Sequence, residues 1–214
     1  RGLFKAVDAT LMMHPEGMYI VNTIGLALDA LEFRFYGKAS HAACTPHEGI
    51  NALDAIILFY NGVNALRQQV KPGVRIHGVI TKGGTFPNII PDLAEARFYI
   101  RSPGRRYLNE VTGKVVKCAR GAALATGCRL KIKRFERALD DVVNNPVLGR
   151  LVEKNLRELG VREIVEKDDV PGSTDYGNVS QVVPSVYFYC ATAPRGSELH
   201  TGEFTALSIT ARAH

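Results

Sequence analysis

The sequence has 214 residues, of which 46% are hydrophobic and 22% charged, with a formal net charge of +6. That composition belongs to a globular chain with room for one large domain or two small ones, and no stretch approaches the ~20 consecutive apolar residues of a membrane span. Cys44, Cys118, Cys128 and Cys190 form no CxxC pair and read as the reduced thiols of a cytoplasmic protein.

In chain order, Val7 to Met13 is a short apolar run that predicts a buried strand ending on His14-Pro15. A histidine at a strand's C-terminal end sits where open α/β sheets gather ligands, and a turn residue fits the position equally well. Tyr19 to Leu28 is rich in β-prone residues. From Leu31 to Tyr36 the alternation of Leu31, Phe33 and Phe35 with Glu32, Arg34 and Tyr36 predicts a strand with one buried face.

The pattern then changes abruptly across YGKASHAACTPHEGINAL. Thr45 as N-cap, Pro46 at the first helical position and Glu48 as the capping-box carboxylate predict a helix from Pro46 to about Gln69. His41 falls in the link before it, among Gly, Ala and Ser, either as a turn residue or as a group open to a ligand. Strands are predicted over Val74–Lys82 and Leu93–Arg101, the latter burying Ala94, Ala96, Phe98 and Ile100. A helix from Ser102-Pro103 carries Leu108, Val111, Val115, Cys118 and Ala122 on one seam, Gly127 closes it, and Arg129–Phe135 is the last strand of the series.

The resulting order β-α-β-β-α-β over residues 29–136 is the ferredoxin-like split motif, whose open sheet edge invites pairing with a second copy. Arg101 to Arg137 holds 11 Lys/Arg against Glu110 and Glu136, a run expected as solvated surface. A basic ferredoxin-like sheet also frames RNA-recognition domains, but neither central strand carries their aromatic signature, so no nucleic-acid partner is expected. Beyond it, Asn145-Pro146 starts a helix with Leu148, Leu151, Leu156 and Leu159 facing inward, stopped by Gly160. A charged loop at Glu166–Asp169, a short helix, a strand over Val182–Tyr189 and a loop carrying His200 follow.

The segments HP, GKASHAACTPHEGINALDA, GGTFPNIIPDLAEARFYIR, STDYGNVSQVVPS and ELHTGEF, in this order, resemble peptidase family M twenty, the aminoacylase- and carboxypeptidase-type metallopeptidases. The likeness is strongest to its amidohydrolase branch, which holds aminobenzoyl-glutamate hydrolases and a dipeptidase. The resemblance implies an α/β catalytic domain, contributed by residues 1–28 and 137–214, into which residues 29–136 are inserted as a lid and dimerisation domain. It implies a site with two divalent ions, Zn or Mn, ligated in part by His14 and His200. By the same resemblance His41 polarises the scissile carbonyl of a partner subunit's substrate, and Asn88 and Arg101 hold the substrate's terminal carboxylate. The expected substrate is a small peptide or N-acyl amino acid, and the expected assembly a homodimer through the lid, away from membranes. No HxD or Glu-Glu motif occurs in the chain. It is therefore expected to be the C-terminal portion of a longer hydrolase, inactive alone; a catalytically inactive dimerisation module is the competing expectation.

Overall fold

The computed structural model describes residues 2–165 and 172–210. In chain order its elements are β1 (Thr10–Glu16), β2 (Ile20–Val21), β3 (Ala27–Tyr36), α1 (Ala52–Arg67), β4 (Arg75–Lys82), β5 (Leu93–Ser102), α2 (Arg105–Thr126), β6 (Arg129–Arg134), α3 (Pro146–Glu158), α4 (Tyr176–Ser180), β7 (Ser185–Ala191) and α5 (Gly202–Leu207). They form two compact units, one of residues 27–138 and one of residues 1–26 with 139–214.

The unit 27–138 is a four-stranded antiparallel sheet in the order β4-β5-β3-β6, with α1 and α2 covering one face. This is the ferredoxin-like arrangement. Register explains how the core fills: Phe33 stands opposite Ala96 and Phe35 opposite Ala94, so each large side chain has a small neighbour across the ladder. Phe59 of α1 drops into the space, with ring centroids 4.6 Å from Phe33 and 4.9 Å from Phe98. On α2 the buried seam is Leu108, Val111, Val115, Ala119 and Ala122, with Cys118 only half-buried at its margin. Gly127 ends the helix in the left-handed conformation at φ 75°.

Several expectations are corrected here. The first concerns β3, which is buried on both faces and carries two acidic side chains inside. Asp29 accepts hydrogen bonds from Arg105 (3.0 Å), Thr112 (2.7 Å) and Arg134, tying β3 to α2 and β6. Burial alone would raise its carboxyl, but the hydrogen bonds from Arg134 and Thr112 and the charge of Arg105 hold it below the ordinary value. Glu32, on the other face, meets Arg34 at 2.6 Å, Arg97 at 2.9 Å and Lys133 at 3.0 Å. The basic run from Arg101 therefore does more than coat the surface. Arg105, Lys133 and Arg134 from that run neutralise buried carboxylates of β3.

The second concerns the start of α1. Pro46–Glu48 forms only one 3₁₀ turn, Thr45 makes no side-chain cap, and α1 begins at Ala52 with Asn51 accepting from the Leu53 and Asp54 amides. Ile50 is the cause, because it exchanges both backbone hydrogen bonds with Lys38 and so holds the chain extended between turn and helix. Gly37 permits this approach, since a Cβ there would lie 2.0 Å from the Ile50 carbonyl oxygen.

In the second unit β7 is the middle strand, parallel to β1 and antiparallel to β2. Tyr187 and Tyr189 pack with Ile20 and Tyr176, while Val186 packs with Val21, Val152 and Leu156. The third correction lies in α3. Its buried positions are Gly149, Val152 and Leu156, whereas Leu151 is 51% and Leu159 83% exposed. Gly149 sets the inward face, because a Cβ there would meet the Asn22 side chain at 2.3 Å. Leu151, two positions on, is turned well away from it, and Leu159 is already the C-cap. The strand at the N-terminal end also runs later than expected, passing through His14 and Pro15 to Glu16, at the edge of its sheet rather than buried. The expected charged loop at Glu166–Asp169 lies outside the described residues.

Candidate active site

His14 and His200 line one cavity, of about 890 Å³, in the unit built from the two ends of the chain. β1 presents His14 directly opposite Tyr189 of β7, with their rings 5.4 Å apart. Its Nδ1 lies 2.8 Å from the Pro15 carbonyl oxygen, which can only accept. In the neutral ring Nδ1 therefore carries the proton and the lone pair is on Nε2, the atom through which this imidazole would ligate a metal. His200 stands in the loop before α5 with φ 62°, a left-handed conformation that a non-glycine residue adopts at a strain of order 1 kcal/mol or more. The cap of α5 fixes the loop: the Thr201 hydroxyl accepts from the Phe204 amide at 3.1 Å and donates to the Glu198 carbonyl at 2.9 Å.

Glu16 and Glu198 share this cavity, and neither stood out in the sequence. Glu16 could have been found by strand periodicity, since it lies two residues from His14 on the same side of β1. Neutral imidazole and carboxylate are suitable donors for Zn²⁺ or Mn²⁺. Among the described residues, however, no three His, Cys, Asp or Glu side chains gather closely enough to enclose an ion. Each histidine fits a ligand's role, and the described donors do not complete a coordination sphere.

His41 belongs to the other unit, where its ring nitrogen Nδ1 accepts from the Ala43 and Cys44 amides, both at 3.2 Å. The turn is closed by the Thr45 amide on the His41 carbonyl (3.1 Å) and by Ser40 bonded to Thr45. With Nδ1 engaged as an acceptor, the proton of the neutral ring is on Nε2, at an exposed side chain. His14 and His41 thus hold opposite neutral tautomers, the first presenting a lone pair at Nε2 and the second an N–H there. Nitrogen-15 NMR of His41 is expected to show the signature of an Nε2–H ring at neutral pH; an Nδ1–H ring would contradict the turn geometry.

Asn88 is brought close to His41 by the backbone. The Ala42 amide donates to the Asn88 carbonyl and the Ile90 amide to the Ser40 carbonyl, both at 2.9 Å, so that His41 and Ile89 face each other in an antiparallel bridge. Arg101 is not part of this group. It lies eight residues beyond Leu93 on β5, roughly 27 Å along an extended strand, at the opposite end of the sheet. Its Nε donates to His77 Nε2 at 3.4 Å and its guanidinium lies 5.4 Å from the centre of the Tyr99 ring. Burial, with the charges of Arg101 and Arg67, lowers the His77 pKa, so that its ring stays neutral and can accept. His77, too, was readable only from the register that sets it across β4 and β5 from Tyr99.

A family profile described as a peptidase dimerisation domain matches residues 27–126. The chain is 41% identical to the Xaa-Arg dipeptidase of Mus musculus over 95% of its own length and 48% of that protein's. Residues 27–126 belong to the dimerisation-domain family of the M-twenty peptidases. Another relative is a p-aminobenzoyl-glutamate hydrolase component of Escherichia coli, 37% identical over 76% of this chain and 34% of that one. The chain thus spans about half the length of the dipeptidase it matches, and less of the hydrolase component. Among solved structures, an aminobenzoyl-glutamate utilization protein from Klebsiella pneumoniae superposes with a TM-score of 0.73 at 19% identity, over 97% of this chain and 53% of that one, which shows the shared fold. Among the described residues no helix is long and apolar enough to cross a membrane.

Proposed function

We propose that the protein containing this chain is a metal-dependent amidohydrolase of the dipeptidase type, cleaving dipeptides or N-acyl amino acids that carry a free terminal carboxylate. The observation that carries the reading is the convergence of His14 and His200, from opposite ends of the chain, on one cavity of about 890 Å³ in a chain whose residues 27–126 belong to this family. His14, through Nε2, and His200 would each hold one of two divalent ions, Zn or Mn. When bound, such ions supply Lewis acidity and lower the pKa of a water. His41, through its Nε2–H, donates to the carbonyl oxygen as negative charge develops there. Asn88 binds the terminal carboxylate; Arg101, whose planar fork matches both oxygens, lies at the other end of the same sheet and so serves the carboxylate of a different site from the one its own Asn88 serves. Because His41 and Asn88 share one backbone bridge while Arg101 sits at the far end of the sheet, the first two act as a pair.

The unit 27–138 pairs two subunits. β4 is an edge strand with Val79 58% and Ile80 41% exposed, and α1 leaves Ile57 and Leu58 nearly half exposed. A free edge with apolar side chains is a surface that a second copy can cover. The full-length enzyme is expected to sediment as a dimer at micromolar concentration, and an active monomer would end this part of the reading. The four free thiols fit a reducing compartment, so we place the enzyme in the cytoplasm.

Replacing His14 or His200 by Ala in the full-length protein is expected to lower bound metal by at least one ion per protomer in elemental analysis and to abolish hydrolysis. Full occupancy and unchanged turnover in both variants would overturn the assignment.

A further inference from the structure

The β4–β5 turn carries two exposed hydrophobic side chains, Phe86 at 65% and Ile89 at 43%. Scattered apolar surface residues are ordinary. These two are not scattered. Ile89 faces His41 across the antiparallel bridge, in a pair flanked by the Ala42–Asn88 and Ile90–Ser40 hydrogen bonds rather than joined by its own. In such a pair the two side chains leave on the same side of the ribbon, with Cα atoms about 4.5 Å apart. The Ile89 amide also donates to the Phe86 carbonyl at 3.2 Å, closing a turn that keeps Phe86 beside it. Phe86, Ile89, Ala42, Leu53 and Pro91 border a hollow of about 370 Å³, apolar apart from backbone and the Asn51 and Thr85 side chains.

We infer that Ile89 and Phe86 form the wall that receives the acyl-side substituent of the substrate, and that the enzyme prefers an apolar or aromatic group there. The inference rests on the hydrolase reading above and on His41 as the carbonyl donor. The oxygen that His41 contacts belongs to the acyl residue, so the surface directly beside the ring meets whatever is attached next to that carbonyl. An aliphatic and an aromatic side chain, held in place by backbone hydrogen bonds yet uncovered, offer apolar area without a polar partner to satisfy. A charged substituent would lose hydration there and meet no opposite charge among the lining residues.

The test uses the full-length metal-loaded enzyme and a dipeptide series with one common C-terminal residue and Gly, Ala, Leu, Phe or Asp in first position. The expected kcat/KM for Leu or Phe exceeds that for Gly by at least about tenfold, with Asp lowest. In Ile89→Ala and Phe86→Ala that ratio is expected to fall below about threefold, and Ile89→Leu is expected to restore most of it. Both positions are exposed, so folding is not at stake. A ratio unchanged in both Ala variants, or an equal loss on every substrate, would overturn the inference and leave the hydrolase reading standing. No hydrolysis of any member by the unsubstituted enzyme would overturn the hydrolase reading and this inference with it.

Discussion

Replacing Glu32 by Gln is expected to destabilise the unit 27–138 by about 2–3 kcal/mol at neutral pH, near the lower end of what removing one partner of a buried ion pair costs. The lower end applies because Arg34, Arg97 and Lys133 keep 30%, 49% and 44% of their side-chain exposure and so remain partly hydrated. The Glu32 side chain itself is fully buried at the centre of the sheet, where Gln can satisfy hydrogen bonds but not three cations. Burial opposes its ionisation, yet hydrogen bonds from Lys133, Arg97 and Arg34 lower its pKa from the ordinary 4.5 to about 2. The sign follows directly. A folded-state value below the unfolded one adds stability that is complete above about pH 4.5 and is lost as pH falls toward 2. Asp29, also lowered, acts in the same direction. Native-state hydrogen exchange at the Phe33 and Phe35 amides should therefore show protection falling between pH 4.5 and 2, with a shallower decline in Glu32→Gln. Equal protection at pH 7 together with an equal acid slope would show that the cluster contributes nothing.

Local pattern carried much of the ferredoxin-like unit, because β5 and the two helices each have one dominant buried stripe. The alternation along Leu93–Arg101 and the seam of α2 are direct records of which side chains meet the core. Where reading by pattern failed, a tertiary contact had overridden a local signal. Thr45, Pro46 and Glu48 form a real turn, but the Lys38–Ile50 bridge stretches the chain before a helix can propagate from it. Glu32 alternates with apolar neighbours as a surface residue would, and only the three cations delivered by β3, β5 and β6 make its burial tolerable. On α3 the leucines form a plausible stripe, and the contact between Gly149 and Asn22, unknowable from spacing, selects another.

The candidate site was legible as a set of residues and not as a geometry. His14, His41 and His200 could be singled out from strand ends and loops, and the family resemblance suggested a role for each. Residue pattern does not indicate that His14 meets a carbonyl through Nδ1 while His41 accepts amides through the same atom. Those choices depend on Pro15 following one histidine and on the turn through Ala43 and Cys44 following the other. Likewise the pairing of His41 with Ile89, and the separation of both from Arg101, comes from sheet register, which spacing alone does not specify.

The largest catalytic effect is expected at His41. If its Nε2–H stabilises the developing oxyanion, His41→Ala in the full-length enzyme should reduce kcat by about 10²-fold or more, the scale seen when one such donor is removed. Metal content should be unchanged, since His41 is on the unit that holds neither His14 nor His200. KM should move little, because the lost interaction is made mainly in the transition state. His41→Gln separates donation from packing: its amide N–H can occupy part of the ring's space and should recover some of the loss, whereas a purely turn-capping role would give no such rescue of kcat. The proposal that each His41 serves its partner's site has a sharper consequence in mixed dimers. A protomer carrying His41→Ala keeps its metals and lacks a donor, while one carrying His200→Ala lacks a complete metal site and keeps its donor. Exchanging the two should generate one competent site per heterodimer, so that activity rises from near zero toward half the normal level per competent pair. Activity that stays at the level of the parents, with exchange of protomers verified by mass, would mean that each His41 works within its own chain or only holds its turn.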